Sequence, residues 1–262
     1  MYGICNLSII ACRKEPSDKS EITTQLLFGE HFKVLATKGN WCHILTAFDA
    51  YKCWIDAKQF QTIPEHIFQK LSEGLKNKTI SFSSDLVQLL EHEQSFFPIV
   101  IGSNLPFLKA DECWLDNEKY IYQGHIAITP HTAIRNLLIE HAYMYLHTPY
   151  LWGGRSPFGI DCSGFTQMVY KLCGITLQRD SSLQAEQGTA IAFIEEAEAG
   201  DLAFFENEDN KIIHVGIVLN QQKIIHASGE VRIDLIDHQG IFNISTQQYS
   251  HKLRLIKRIL SE

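Results

Sequence analysis

Through the first half of the chain the apolar residues come in short runs: Leu7 to Ala11, Phe32 to Ala36, Trp41 to Thr46 and Tyr51 to Ile55, parted by polar turn clusters such as Lys38-Gly39-Asn40. Runs this short, bounded by turn residues, suit strand faces better than packed helices, so residues 1–63 are predicted to form a small all-β barrel. From Pro64 to Leu75 the apolar side chains fall at 67, 68, 71 and 75, the spacing of a connecting helix ended by Gly74 or Asn77. Strand-like runs then return at Val87 to Leu90, Phe97 to Ile101, Lys119 to Tyr122 and His125 to Ile128, so residues 64–129 are expected to hold that helix and a second small β module.

After Pro130 the period lengthens. Thr132 can cap a helix with apolar residues at 134, 137, 138, 142 and 145, until Pro149 stops it. Asp161 can cap a second helix running to Lys171 or Leu172, with Phe165, Met168, Val169 and Leu172 on one face and Gly174 as its stop. Strand-like runs follow at 201–205, 212–219, 223–227, 231–236 and 252–259. Helices first and antiparallel strands afterwards predict an α+β domain over residues 130–262.

Composition narrows the function classes. Hydrophobic residues at 45% and charged residues at 20% are those of an ordinary folded chain and exclude disorder. Lys and Arg number 23 against 30 Asp and Glu, a net charge of −7 that disfavours nucleic acid or an anionic membrane as partner. No stretch approaches the ~18 apolar residues of a membrane span, and no basic flank precedes the first apolar run, so neither a span nor a signal peptide is expected. The seven cysteines are odd in number and lack a C-x-x-C pair, which points to a reducing, cytoplasmic compartment.

Cys162 lies in Gly159-Ile160-Asp161-Cys162-Ser163-Gly164, at the predicted helix start, where unpaired N–H groups and the helix dipole favour a thiolate and can also hold an oxyanion. His214 and His226 lie in two apolar runs separated by Leu219-Asn220-Gln221-Gln222, which read as a hairpin. A turn centred on Asn220 sets His214 directly opposite His226. His214 then suits a general base for the thiol, with His226 fixing its tautomer. The same residues also allow a buried structural thiol, two core histidines, or three zinc ligands with an open fourth position.

These residues resemble the NlpC-type, papain-like cysteine peptidases of bacterial cell-wall peptides. Tyr150-Leu151-Trp152-Gly153-Gly154, Gly159-Ile160-Asp161-Cys162-Ser163-Gly164-Phe165, Arg179-Asp180-Ser181-Ser182-x-Gln184, Gly200-Asp201-Leu202 with His214-Val215-Gly216-Ile217, and Ile225-His226-Ala227-Ser228-Gly229 are similar to that family's blocks in order. The resemblance implies Cys162 as nucleophile, His214 as base, His226 as third polar residue and Tyr150 beside the oxyanion, with no cofactor and no metal. Phe28-Gly29-Glu30, Trp41 and Tyr51-Lys52-Cys53-Trp54 resemble a bacterial SH3-like domain, with Cys53 where Gly is usual.

The branch that carries such domains resembles γ-D-glutamyl-L-diamino-acid endopeptidases acting on murein stem peptides with a free N-terminal L-Ala. There the tyrosine matching Tyr51 helps close the cleft, Asp161 and Ser163 contact substrate, and Asp180 and Ser181 line the same cleft. Glu15, Asp18 and Glu21 are candidates for the substrate amine. The expected fold is thus α+β, a papain-like cysteine peptidase domain preceded by two small SH3-like β-barrel modules. The expected reaction is amide hydrolysis through a thioester; a non-catalytic murein-binding module and a thiol acyltransferase or amidase are the alternatives.

Overall fold

The computed structural model describes residues 1–127, 134–220 and 222–260. It divides into two compact units, Met1–Ile128 and Thr129–Glu262. The first contains strands β1 (Tyr2–Ile4), β2 (Ile9–Arg13), β3 (Ile22–Leu27), β4 (His31–Lys38), β5 (Trp41–Thr46), β6 (Lys52–Asp56) and β7 (Gln61–Ile63), in one sheet ordered β3-β2-β6-β5-β4-β1-β7. Burial alternates along β2, β5 and β6, as a sheet with one wet face requires. The inward residues Ile10, Cys12, Leu26, Phe32, Cys42, Ile44, Cys53 and Ile55 make a core. Cys53 pairs with Ile44 inside β6, so the residue that departs from the usual SH3-like glycine is a core side chain.

Helix α1 (Glu65–Lys76) ends at Asn77 and buries Leu71. It leads into β8 (Ser81–Phe82), β9 (Val87–His92), β10 (Ser95–Val100), β11 (Asn104–Leu105), β12 (Glu112–Leu115) and β13 (Glu118–Tyr122). These form a four-stranded sheet, β10-β9-β13-β12, and the pair β11-β8. Ile4, Phe28, Ile63 and Leu71 pack in one cluster with Leu90, Ile99, Leu115, Tyr120 and Tyr122, so the strand group after residue 80 shares a core with the first. The expected strand over His125 to Ile128 is only an isolated bridge at Ile126, and Ile128 lies outside the described residues.

The second unit opens with α2 (Ile134–Met144); its expected cap, Thr132, lies outside the described residues. A short pair, β14 (Arg155–Ser156) and β15 (Gly159–Ile160), precedes α3 (Cys162–Leu172). Asp161 caps α3 by accepting from the Gly164 N–H at 2.6 Å, and Gly174, with φ at +70°, follows its end. Then come α4 (Ser181–Gln184), β16 (Thr189–Ile191), a single 3-10 turn at Ile194–Glu196, and β17 (Leu202–Glu206), β18 (Ile212–Leu219), β19 (Lys223–Ser228), β20 (Glu230–Ile236), β21 (Gly240–Asn243) and β22 (Gln248–Arg258).

The last six strands pair in succession, and β22 returns to β21, so they close into an antiparallel barrel with β16 added outside β22. Its core holds Ala203, Phe205, Val218, Ile224, Ile236, Ile241 and Ile256. Helix α3 packs against α2 on one side and against β18 and β19 on the other. Closure leaves this barrel without the open edge that exposed strands present to other chains.

Candidate active site

Cys162 is the first residue of α3 and is buried, while the start of that helix is pinned from several directions. Asp161 Oδ1 accepts from the Gly164 N–H, from Arg179 Nη1 at 3.0 Å and from Ser163 Oγ at 3.4 Å. Its Oδ2 accepts from the Gly153 N–H at 2.8 Å and from Arg179 Nη2 at 2.6 Å. Arg179, 1% exposed, also donates to Ser163 Oγ at 2.9 Å. Gln184, fully buried, donates to Ser163 O at 3.0 Å and accepts from Thr166 Oγ1 at 2.7 Å, tying α4 to the same turn. Gly164 has no alternative here: a Cβ would sit 2.3 Å from Gly154 O.

This bonding bears on two expectations. Asp161 and Ser163, expected to meet substrate, also bond through their side-chain oxygens to Arg179 and neighbouring donors, which braces the turn under the nucleophile. The helix start was also expected to favour a thiolate. Burial, reinforced by the Asp161 charge, instead pushes the Cys162 thiol up to about 12, against the lowering effects of the Val215 main chain, Arg179 and the Ser163 N–H. The resting residue is a thiol. The main-chain contact at Val215 puts the Cys162 sulfur against β18, one residue from His214.

The hairpin differs from its expected register. His226 pairs with Gly216, not His214, because the hairpin is centred one residue later than Asn220, with Leu219 paired to Lys223 and Gln222 at φ +56°. The offset from His214 is two residues, so strand alternation keeps both rings on the same side. They meet diagonally, His214 Nε2 lying 2.9 Å from His226 Nδ1. Gly216 makes that crossing possible: a Cβ there would stand 2.8 Å from His226 Cβ and 2.7 Å from Ile224 Cδ1.

Asp234, on β20 and fully buried, continues the line by accepting at Oδ2 from His226 Nε2 at 3.2 Å. Burial alone raises a carboxyl, but bonds from His226, the Ile244 N–H and Arg232 outweigh it and hold Asp234 below its ordinary value. An ionised carboxylate only accepts, so the proton of His226 is on Nε2 and its Nδ1 must accept from His214 Nε2–H. His214 is thereby left with Nδ1 as its basic nitrogen. Burial first, then His226 and His251, hold His214 well below its ordinary value, so it is a neutral imidazole at neutral pH.

His251 on β22 stacks on His214, with ring centroids 4.1 Å apart and planes 24° from parallel, and Phe205 packs against both rings. Asp234 comes from β20, the strand that follows and pairs with β19, whereas His251 comes from β22, which reaches the site as the barrel closes.

The other expected residues fall as follows. Tyr150 is half-buried, and burial, with the charges of Cys162 and Asp161, raises its phenol to about 12, which makes it a neighbour of the thiol and a hydroxyl donor. Asp180 and Ser181 are half-buried at the start of α4, directly after Arg179. Tyr51 belongs to the first unit, packed at the edge of its barrel core with its N–H on Thr46 Oγ1 at 2.8 Å. Glu15, Asp18 and Glu21 lie at the start of that unit; Glu21 pairs with Lys14 at 3.2 Å.

A neutral thiol against β18, a neutral imidazole ordered by a second imidazole and a carboxylate, and the N–H groups of a helix start form the parts list of a thiol hydrolase. Comparison with known proteins agrees: residues 147–251 match the NlpC/P60 family. The chain carries an NlpC/P60 cysteine peptidase domain. Residues 12–60 match the bacterial dipeptidyl-peptidase SH3 domain.

Two relatives cover both regions. A protein of Bacillus subtilis, 28% identical over 92% of this chain and 82% of its own length, is called γ-D-glutamyl-L-lysine dipeptidyl-peptidase. A Bacillus cereus protein of the same name is 29% identical over 80% of this chain and 68% of its own. An NlpC/P60 family structure from Bacillus cereus has the same fold, with a TM-score of 0.81 at 22% identity and full coverage of both chains. Among the described residues no helix is long and apolar enough to cross a membrane.

Proposed function

We propose that this NlpC/P60 peptidase hydrolyses the γ-D-glutamyl-L-diamino-acid bond of murein peptides that have a free N-terminal L-Ala, releasing L-Ala-γ-D-Glu. The observation that carries the reading is the hydrogen-bonded line His214–His226–Asp234, which leaves one imidazole nitrogen basic beside a helix-start cysteine. The shared name of the two relatives supports the bond cleaved, since a dipeptidyl-peptidase removes two residues from a free N-terminus.

In this reading His214 Nδ1 takes the Cys162 proton as sulfur attacks the γ-carbonyl, which avoids holding a separated thiolate in a buried site. The N–H groups of Cys162 and Ser163 at the start of α3, and the Tyr150 hydroxyl, hold the oxyanion. The imidazolium then protonates the leaving amine, and the thioester is cleaved by water that His214 deprotonates. Asp234 and His226 stabilise the imidazolium in transit. Asp180 and Ser181 line the acyl side. Short peptides with free termini suit recycling in the cytoplasm better than attack on intact wall.

The test is mass spectrometry of products from L-Ala-γ-D-Glu-L-Lys and L-Ala-γ-D-Glu-meso-diaminopimelate, with N-acetylated controls, incubated with wild type and Cys162→Ala. Release of L-Ala-γ-D-Glu from free-amine peptides only, lost in the variant, supports the proposal. Equal cleavage of acetylated peptides overturns the free-amine requirement. No cleavage of any peptide overturns hydrolysis, and transfer to an added amine in place of water identifies an acyltransferase.

A further inference from the structure

The cluster of three imidazoles at the barrel end has more nitrogen donors than the hydrolytic line uses. We infer that His214, His226 and His251 form an inhibitory binding site for a divalent transition-metal ion, with zinc as the best-suited metal. Inhibition rests on the thiol-peptidase reading above; binding of the ion does not.

One ring nitrogen from each of the three lies within 4.8 Å of the other two, and two of the three residues are buried. In two of them, His226 and His251, the other ring nitrogen is held by an outer partner, as in metal-binding imidazoles. His226 is anchored through Nε2 to Asp234, so Nδ1 is its ligand atom. His251 is anchored through Nδ1 to Ser250 Oγ at 2.8 Å, which leaves Nε2. His214 Nε2 already points at His226 Nδ1 across 2.9 Å, with one proton between them.

An ion entering there takes the place of that proton, which moves to His214 Nδ1 so that the ring stays neutral, and the two rings part by a few tenths of an ångström to offer it two imidazole nitrogens. Among the described residues the Cys162 sulfur does not belong to this set of converging ligand atoms.

His251 must move to complete the set. A ring stacked at 4.1 Å cannot aim its lone pair at an ion held in the plane of its neighbour, so His251 has to swing out of the stack. Space for the swing lies on its open side, a cleft bordered by Glu206, Ser250 and Lys252. Zinc accepts such a three-imidazole set with water as fourth ligand, at about 2.0 Å per nitrogen. Once bound, the ion makes His214 a poorer base and breaks its bond to His226, so turnover slows while substrate binding is untouched.

The experiment titrates cobalt(II) alone, as a spectroscopic stand-in for zinc, into the full chain as wild type, Cys162→Ala, His251→Phe and His251→Gln. Phenylalanine keeps an aromatic ring in the stack, and glutamine keeps a polar group, so one of the two should fold. Wild type and Cys162→Ala are expected to bind with the visible bands of four-coordinate cobalt and no thiolate charge-transfer band. The His251 variants should bind at least about 10-fold more weakly. Zinc should lower wild-type kcat at constant KM, reversibly by chelator, and spare His251→Phe.

The inference is overturned by a thiolate band, by loss of binding in Cys162→Ala, by unchanged affinity in both His251 variants, or by zinc that raises KM only. Cobalt bound as described to a protein that cleaves no γ-D-glutamyl peptide would uphold the site and sink the peptidase reading instead.

Discussion

Asp161 offers the sharpest test of what surrounds the nucleophile. In the brace reading it is one half of a bidentate, buried ion pair with Arg179, at 2.6 and 3.0 Å. Arg179→Met removes the cation and leaves the carboxylate among the Gly153 and Gly164 N–H groups and Ser163, still charged and nearly dry. Asp161→Asn removes the anion and turns one accepting oxygen into a donor facing other donors. Breaking a buried pair from one side costs about 3–5 kcal/mol, because the charge left behind is uncompensated.

For a unit of this size, about 3 °C per kcal/mol predicts a fall of about 10–15 °C in the Tm of the transition that reports the peptidase unit. The double variant has no charge left to strand, so its loss should be about 1–3 kcal/mol less than the two single losses added together. Scanning calorimetry of the full chain for the four proteins measures both quantities. The reasoning is refuted if Asp161→Asn melts with the wild type yet raises KM for free-amine peptides alone; Asp161 would then be a substrate residue after all.

Asp234→Asn should lower kcat by about 10- to 100-fold at constant KM, less than the ~10⁴ seen where the lost acid touches the base directly, since here His226 intervenes; steady-state kinetics on the tripeptides decide it. Because the Cys162 thiol is raised and His214 is lowered, the resting pair is uncharged, so iodoacetamide alkylation should climb steadily from pH 6 to 9. A rate already level at pH 6 would reveal a preformed ion pair and defeat that assignment. Gly216→Ala places a Cβ against His226, and should cost about 1–3 kcal/mol of stability by urea unfolding, with a larger proportional loss in kcat than in kcat-independent substrate binding.

The parts of the site that a local stretch of chain specifies were legible. Asp161 with Cys162 announces a capped helix start, and α3 runs to Leu172 as its apolar spacing requires. The two histidine-bearing strands were legible as well, but their register was not. It depends on backbone angles in a polar turn with no Gly or Pro to declare its type, and only the evenness of the error kept the imidazoles together. Asp234 lies on the next strand, β20, in a run with no motif to mark its carboxylate, and the place of His251 follows from ring closure, a long-range event that no window of sequence contains. β21, four residues long and led by Gly240, is the link that closes the ring, and its pattern is too brief to register as a strand. The buried roles of Arg179 and Gln184 were hidden for a similar reason: polar residues in a serine-rich segment read as a surface, until the partners that satisfy them are folded over.

Barrel closure also divides the site into a part made by neighbouring strands and a part made by the ring. β22 pairs with β17 through Lys252 to Lys257 and with β21 through Gln248 to Lys252, so β21 and β22 together hold the ring shut. The relay His214–His226–Asp234 sits on three strands that pair in succession, so what β22 adds to it is the wall that carries His251, not the relay's own bonds.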